Sequence, residues 1–398
     1  MLLTVSKRLE FSASRRLFVK EWTEAENAAA FGSETSARYG TGRNYVAYFV
    51  FSGAVDPATG MLMNISEIKE RAGQVLHDGF DHKFLNEDNP AFASVVPTPE
   101  NVARELYVAA APLFSGGEAQ LVACHLSESE ERSATYYAHG TSDSHHWFDF
   151  SAARQTASPH LSQTENENLF GSAASPFGHG HNYRARVTLR GKNIAPEEFA
   201  RCLASVRTEL DHKNLNREVA RLSNQPITTE SLARYIYRRV GETAAVHRVR
   251  LHERPDFFAE YWTGDHFFLG LRAPFGAAHC LHSKQLSAEE NAALYGKCNN
   301  ARGHGHLYIT EATVGGTFDE RSGALMNFDA LQAGVWAALE PWQNKHLDLE
   351  MEEFADRTST GENIVQALWP QFDSHLEGRL VRLRLWETAN NRFTLRKS

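Results

Sequence analysis

Cysteine is scarce: the 398 residues hold only Cys124, Cys202, Cys280 and Cys298. So few thiols in so long a chain make no disulfide framework, and a reducing compartment is the simpler reading. Cys124 and Cys202 lie in apolar stretches as small core residues. Cys280 follows His279 and would point to the opposite side of a strand, so only Cys298 sits in a polar, Gly- and Asn-rich context. Positive charge is lacking too, and a net charge of −8 leaves no basic face for nucleic-acid phosphates. No apolar run approaches the ~18 residues of a membrane span, and mean hydropathy is −0.44. Met1 to Glu10 alternates like a strand and lacks the apolar core of a signal peptide. The expectation is a cytoplasmic protein with neither a membrane nor a nucleic-acid partner.

What the chain has instead is one phrase, three times. Phe275-Gly276-Ala277-Ala278-His279 is followed by Tyr295-Gly296-Lys297-Cys298-Asn299-Asn300 and His304-Gly305-His306-Leu307-Tyr308. Phe150-Ser151-Ala152-Ala153-Arg154 with His179-Gly180-His181-Asn182-Tyr183 repeats it, as does Phe11-Ser12-Ala13-Ser14-Arg15 with Thr41-Gly42-Arg43-Asn44-Tyr45. Later landmarks keep phase: Asp81-His82-Lys83, Asp211-His212-Lys213 and Gln343-Asn344-Lys345, then Thr98-Pro99-Glu100, Thr228-Thr229-Glu230 and Thr360-Gly361-Glu362, and finally Glu128, Glu253 and Glu387. Such a repeat sets both the fold and the number of sites. Three units follow, residues 1–140, 141–264 and 265–398, since single cores seldom exceed roughly 250–300 residues.

The polar stretch from Ser127 to His146 reads as a solvated loop between units one and two. Phe257 to Trp262 and His266 to Leu269 read as strands around the turn Thr263-Gly264-Asp265, a hairpin that would stitch units two and three into one sheet. Within a unit, His179, His181, Tyr183, Ala185, Val187 and Leu189 alternate with polar residues as in a half-buried strand. Phe199, Cys202, Leu203, Val206 and Leu210 recur at helical spacing, as do Leu331, Val335, Trp336 and Leu339. Each Thr-x-Glu reads as a helix start, with Thr as N-cap and Glu in the first turn facing the dipole. The order per unit is strand, strand, helix, helix, strand, strand.

His304 and His306, two apart on a strand, share a face, and His279 can join them from the neighbouring strand. Three imidazoles suit tetrahedral zinc and leave a fourth position open, the layout of a catalytic rather than a structural site. A lone His-x-His is more often a hydrogen-bonded pair; the third histidine and Cys298 in a repeated context change that reading.

Together these motifs resemble the family of 6-pyruvoyltetrahydropterin synthase and 6-carboxytetrahydropterin synthase. The resemblance implies an α+β chain of three tandem tunnelling-fold units, each an antiparallel four-stranded sheet with two helices, closing into a pseudo-trimeric barrel. It implies zinc (Zn2+) on His279, His304 and His306, and Cys298 as the residue that moves protons at the substrate side chain. It further implies Asp81-His82 or Asp211-His212 as the pair working with that cysteine. Glu387, Glu253 and Glu128, with Thr360, are implied as substrate-binding residues, the glutamates anchoring the pterin edge. A pterin triphosphate is the implied substrate, and a homodimer of pseudo-trimers the implied assembly.

The copies depart from the family unevenly. Unit three has Gln343-Asn344 in place of Asp-His. Unit two has Arg154 at a ligand position and Ala173 at the thiol position, and unit one has lost all three ligands to Arg15, Thr41 and Arg43. Since the family's sites lie between subunits, one composite site is expected, with metal and Cys298 from unit three and Asp-His from unit one or two inside the same barrel. The alternative for each Asp-His pair is a hydrogen bond that only shapes a turn. Arg15, Arg43 and Arg154 either pair with nearby carboxylates, the preferred reading, or replace the lost metal charge and contact an anion. The Gly-Lys-Cys-Asn-Asn loop favours conversion of 7,8-dihydroneopterin triphosphate to 6-pyruvoyltetrahydropterin, with Lys297 and Arg302 beside the triphosphate. The alternatives are 6-carboxytetrahydropterin synthesis in deazapurine formation and a non-catalytic pterin-binding protein.

Overall fold

Period-two alternation in every copy of the repeated phrase produces long strands, and the computed structural model describes them within residues 1–191 and 194–397. Unit one contributes β1 (Leu2–Arg15), β2 (Thr41–Ser52), β3 (Gln120–Ser127) and β4 (Arg132–Tyr137). Unit two contributes β5 (Ser142–Arg154), β6 (His179–Arg190), β7 (Val246–His252) and β8 (Phe257–Trp262). Unit three contributes β9 (His266–His279), β10 (His304–Gly316), β11 (Leu380–Thr388) and β12 (Asn391–Arg396). Neighbours pair antiparallel in the order β8-β7-β6-β5-β4-β3-β2-β1-β12-β11-β10-β9, and β8 pairs back onto β9. The sheet is therefore a closed twelve-stranded barrel with no open edge.

Two helices per unit cover its outside: α1 (Ile65–Gly79) and α2 (Pro99–Ala110), α3 (Pro196–Leu210) and α4 (Thr229–Gly241), α5 (Phe328–Leu339) and α6 (Gly361–His375). Their apolar faces pack on the outward side chains of the strands, and in each unit the aromatic and the tyrosine of the repeated phrase stack at 4.9 Å. The expected element order and the two-helix layer are met. Trp336 is an exception to the helical core pattern: it is 44% exposed on α5. Among the described residues no helix is long and apolar enough to cross a membrane.

The stretch from Ser127 to His146 is not a solvated loop. It contains β4 and the start of β5, with Ala134, Asp143 and His145 buried. Ser129 to Glu131 and Ala138 to Gly140 are exposed at the hairpin tips, but Thr135 and His145 turn inward and join a chain of bonds with neighbouring strands: His125 Nδ1 lies 2.8 Å from Thr135 Oγ1, which lies 3.0 Å from His145 Nε2, and His145 Nδ1 lies 3.0 Å from Thr188 Oγ1. There polarity signalled a satisfied interior, not exposure. Farther along the lumen the buried Glu311 carboxylate meets Arg384 at 2.7 Å, Arg272 at 2.9 Å and Arg250 at 3.3 Å, and so ties unit two to unit three.

The hairpin at Thr263-Gly264-Asp265 joins β8 to β9 as expected, Trp262 opposite His266. The β4–β5 turn joins units one and two in the same way, Tyr136 opposite Ser142. The third junction has no linking turn: β1 pairs with β12, Leu2 opposite Arg396.

Burial holds His125, His146 and His252 down to about 3, and His145 well below its ordinary value. They stay neutral in the folded chain while the unfolded chain takes up protons below about 6.5. Stability is therefore expected to fall as pH drops from 6.5 towards 3. Burial works oppositely on Glu230 and Glu362, pushed up to about 7 and about 8, which are protonated in the fold and ionised when unfolded; they erode stability as pH rises from 4.5 through those values. Four histidines outweigh two glutamates between pH 4.5 and 6.5. Urea melts across this range should show a midpoint rising up to about 6.5; a flat or falling profile contradicts neutral burial of the histidines.

Candidate active site at the seam of units three and one

β9 and β10 pair with His279 opposite His304, so the end of one strand and the start of the next present their imidazoles together, with His306 two residues on. The coordinating nitrogens lie within 4.8 Å of one another. His279 is fully buried, and its Nδ1–H donates to the Ser359 carbonyl at 2.9 Å, which leaves the Nε2 lone pair facing His304 Nε2 at 3.2 Å. His306 Nε2 is buried without a partner. Three imidazoles converging in this way fit a divalent cation such as zinc. A second group, His179, His181 and Glu253, has similar spacing in unit two, but Arg154 stands inside it.

Glu387, at the end of β11, has a carboxylate oxygen 3.9 Å from His279 Nε2 and 4.0 Å from His306 Nε2. It stands beside the metal ligands. Cys298 lies half-buried in a short turn, its carbonyl accepting from Leu281 N–H at 3.0 Å. Burial, then Glu387, push its thiol up, and Lys297 offsets this only partly. The group therefore favours the protonated thiol.

The seam is closed by a loop of unit one. Ser283 donates to Ala58 O at 2.5 Å, Tyr295 to Thr59 O at 2.6 Å and Thr360 to Gly60 O at 2.5 Å. Gly60 has φ +71°, and a Cβ there would meet Asn363 Nδ2 at 2.9 Å, so only glycine fits. Thr360 thus holds the seam while capping α6 through Asn363 N–H. Glu362, in the first turn of α6, does not simply face the dipole: it is 2% exposed and accepts from the Leu62 N–H at 3.0 Å. Sequence reasoning singled out Thr360 and passed over Glu362. The signal was available in a second repeat, Asp56, Gly60 and Asn64 against Asp319, Gly323 and Asn327, at identical spacing.

Each Asp-His pair is anchored to the backbone of its own unit. Asp81 accepts from Ser12 N–H at 2.9 Å and Asp211 from Ser151 N–H at 2.8 Å, each within its own unit. His82 and His212, at φ 55° and 57°, leave their side chains 83% exposed at the barrel end that also carries His279 and His304. Gln343 keeps the backbone contact, accepting from Gly276 N–H at 3.2 Å, while Asn344 removes the imidazole. What unit one supplies to unit three in these contacts is the loop.

The arginines behave as preferred. Arg15, fully buried, bonds Glu128 at 2.5 Å and Glu34 at 2.8 Å, and Arg43 reaches Glu34 at 3.2 Å and Glu128 at 3.6 Å. Glu128 is therefore engaged by cations and not free to anchor a ligand. Arg154 bonds Glu253 at 2.5 Å, and His181 lies 3.0 Å from the same carboxylate.

The family model for 6-pyruvoyl tetrahydropterin synthase matches residues 4–139, 145–264 and 269–398. The human 6-pyruvoyl tetrahydrobiopterin synthase is 42% identical over 122 residues, 30% of this chain and 84% of that one. The Drosophila melanogaster protein of that name is 39% identical over 127 residues, 31% of this chain and 76% of that one. The solved structure of Caenorhabditis elegans 6-pyruvoyl tetrahydropterin synthase is 32% identical, covering 33% of this chain and 95% of that one at a TM-score of 0.32. With the family's unit present three times in succession, the chain belongs to the 6-pyruvoyl tetrahydropterin synthase family.

Proposed function

We propose that this chain is a zinc-dependent lyase that converts 7,8-dihydroneopterin triphosphate to 6-pyruvoyltetrahydropterin with loss of triphosphate, at one site per chain. The observation that carries the reading is the coincidence at one seam of the three converging imidazoles, Cys298 and the buried Glu362 under a loop of the neighbouring unit. Among the described residues neither other seam combines them.

His279, His304 and His306 hold the metal, which when bound polarises the oxygens of the substrate side chain. Glu362, a buried carboxyl at the inner wall, meets the amino-pyrimidinone edge, and Thr360 keeps the wall closed. Glu387, beside the metal ligands, takes part at the side-chain end rather than as the ring anchor. Cys298 removes and returns protons at the side-chain carbons. Lys297 and Arg302, both exposed next to the thiol, face the triphosphate. The conversion is internally balanced: the ring gains the two electrons that the side chain loses, and departure of triphosphate yields the second carbonyl. The Asp-His pairs serve a second copy stacked on the shared barrel end, in a homodimer of pseudo-trimers.

Product mass spectrometry on the zinc-loaded chain with dihydroneopterin triphosphate tests the reading. The expected outcome is 6-pyruvoyltetrahydropterin with stoichiometric triphosphate. A 6-carboxy product assigns the sister activity, and unchanged substrate with retained binding assigns a non-catalytic protein.

A further inference from the structure

The seam between units two and three contains a cavity of about 390 Å³, a size that suits a small organic ligand. Arg154, His179, His181, Thr229, Glu230 and Glu253 line it from unit two. Arg154 is 3% exposed and spends only Nη2, on Glu253 at 2.5 Å and Thr229 at 3.1 Å. Its Nε and Nη1 have no partner, nor do Thr156 Oγ1 and His179 Nδ1. Buried guanidinium N–H groups are rarely left unbonded, because each forfeits its hydration. Here two on one side chain border an open cavity.

The opposite wall matches the unit-three site. Glu230 is 4% exposed and accepts from Leu325 N–H at 3.1 Å, as Glu362 does from Leu62. The covering segment is again an Asp-x3-Gly-x3-Asn loop, here Asp319 to Asn327. Ser158 donates to Arg321 O at 2.5 Å, Thr228 to Gly323 O at 2.5 Å, and Asn327 to Leu169 O at 2.7 Å. Unit one's seam differs: Arg15 is tied to two carboxylates, and Arg43 adds to the same cluster. Among the described residues, a buried carboxyl under such a loop, without the three-imidazole group, occurs at unit two.

We propose that the cavity between units two and three is a second, metal-free binding site for a flat amino-heterocycle bearing an oxygen-rich substituent, Glu230 taking the ring N–H edge and Arg154 the substituent oxygen. The Arg154 guanidinium occupies the position of a metal ligand and excludes a cation by charge. Ala173 replaces the thiol, so the site binds without turning its ligand over. The ring class rests on the functional reading of unit three, while the unpartnered arginine and the cavity are independent of it.

Equilibrium dialysis of the zinc-loaded full chain against neopterin and 6-methylpterin tests this. Two sites per chain are expected for both, falling to one in Glu230→Gln and to one in Glu362→Gln. Arg154→Met should weaken neopterin at one site by at least ~10-fold, a lost charge-assisted pair, and leave 6-methylpterin at both; unaltered turnover at unit three certifies the fold of Glu230→Gln and Arg154→Met. A single site that vanishes in Glu362→Gln overturns the proposal, as does equal loss of both ligands in Arg154→Met. Zinc that persists in His304→Ala and disappears in His181→Ala overturns its metal-free character. Product formation with one binding site sinks this inference alone; a Glu230-dependent site without product sinks the functional reading alone.

Discussion

His304→Ala is expected to reduce bound zinc from about one equivalent per chain to near zero and to end turnover. The shell has only three imidazoles, and His304 Nε2 stands 3.2 Å from His279 Nε2, so its removal leaves two ligands with no protein group in reserve. Glu387 is close enough to touch His279 and His306 but is engaged with Asn391 Nδ2 at 3.0 Å. His304 is half-exposed at a strand start, so its truncation opens no core cavity, and the thermal midpoint of the metal-free variant should match that of metal-free parent. Atomic emission on dialysed samples reads the result. Zinc retained near one equivalent would move the metal to His179, His181 and Glu253, against the charge of Arg154.

Cys298→Ala should lower turnover by roughly 10²–10⁴-fold, the span of one acid–base group, with zinc content and stability unchanged. The thiol points from a short turn and is no ligand of the three-imidazole group. A near-native rate would make the thiol a bystander and favour the non-catalytic reading. The same variant locates the Asp-His partner. His82 and His212 project from the barrel end, so a chain with both pairs changed to Asn-Ala should be inactive alone, and mixing it with Cys298→Ala should restore activity through hybrid assemblies. No recovery would return the site to a single barrel.

Much of this was legible in the repeated phrase, because period-two strands and buried aromatic pairs depend on local pattern: Phe275 stacks on Tyr308 and Phe150 on Tyr183 as their positions imply. The histidine group followed for the same reason, since His304 and His306 share a strand face. Three things were not legible. Polar residues of β4 and β5 resemble a loop because sequence does not distinguish water from a hydrogen-bonded lumen, where Thr135 and His145 satisfy each other. Glu362 resembles any first-turn acid until its partner, the backbone of Leu62, is placed against it. The Asp-His pairs carry the motif of a catalytic dyad, but Gln343 shows that the backbone contact alone accounts for part of it.

The seam that carries the three imidazoles is also the one with no linking turn. Leu62 and Glu362 meet across 300 positions of chain, and the strands that zip this junction are the first and last of the barrel. During synthesis the first unit must wait, its Gly60 loop without a surface to rest on, until the third has emerged. Pairing over such a span is slow to form, and without unit three the Gly60 loop lacks Ser283, Tyr295 and Thr360, the side chains that hold it. On the proposed reading, the site at this seam is completed only when the barrel closes.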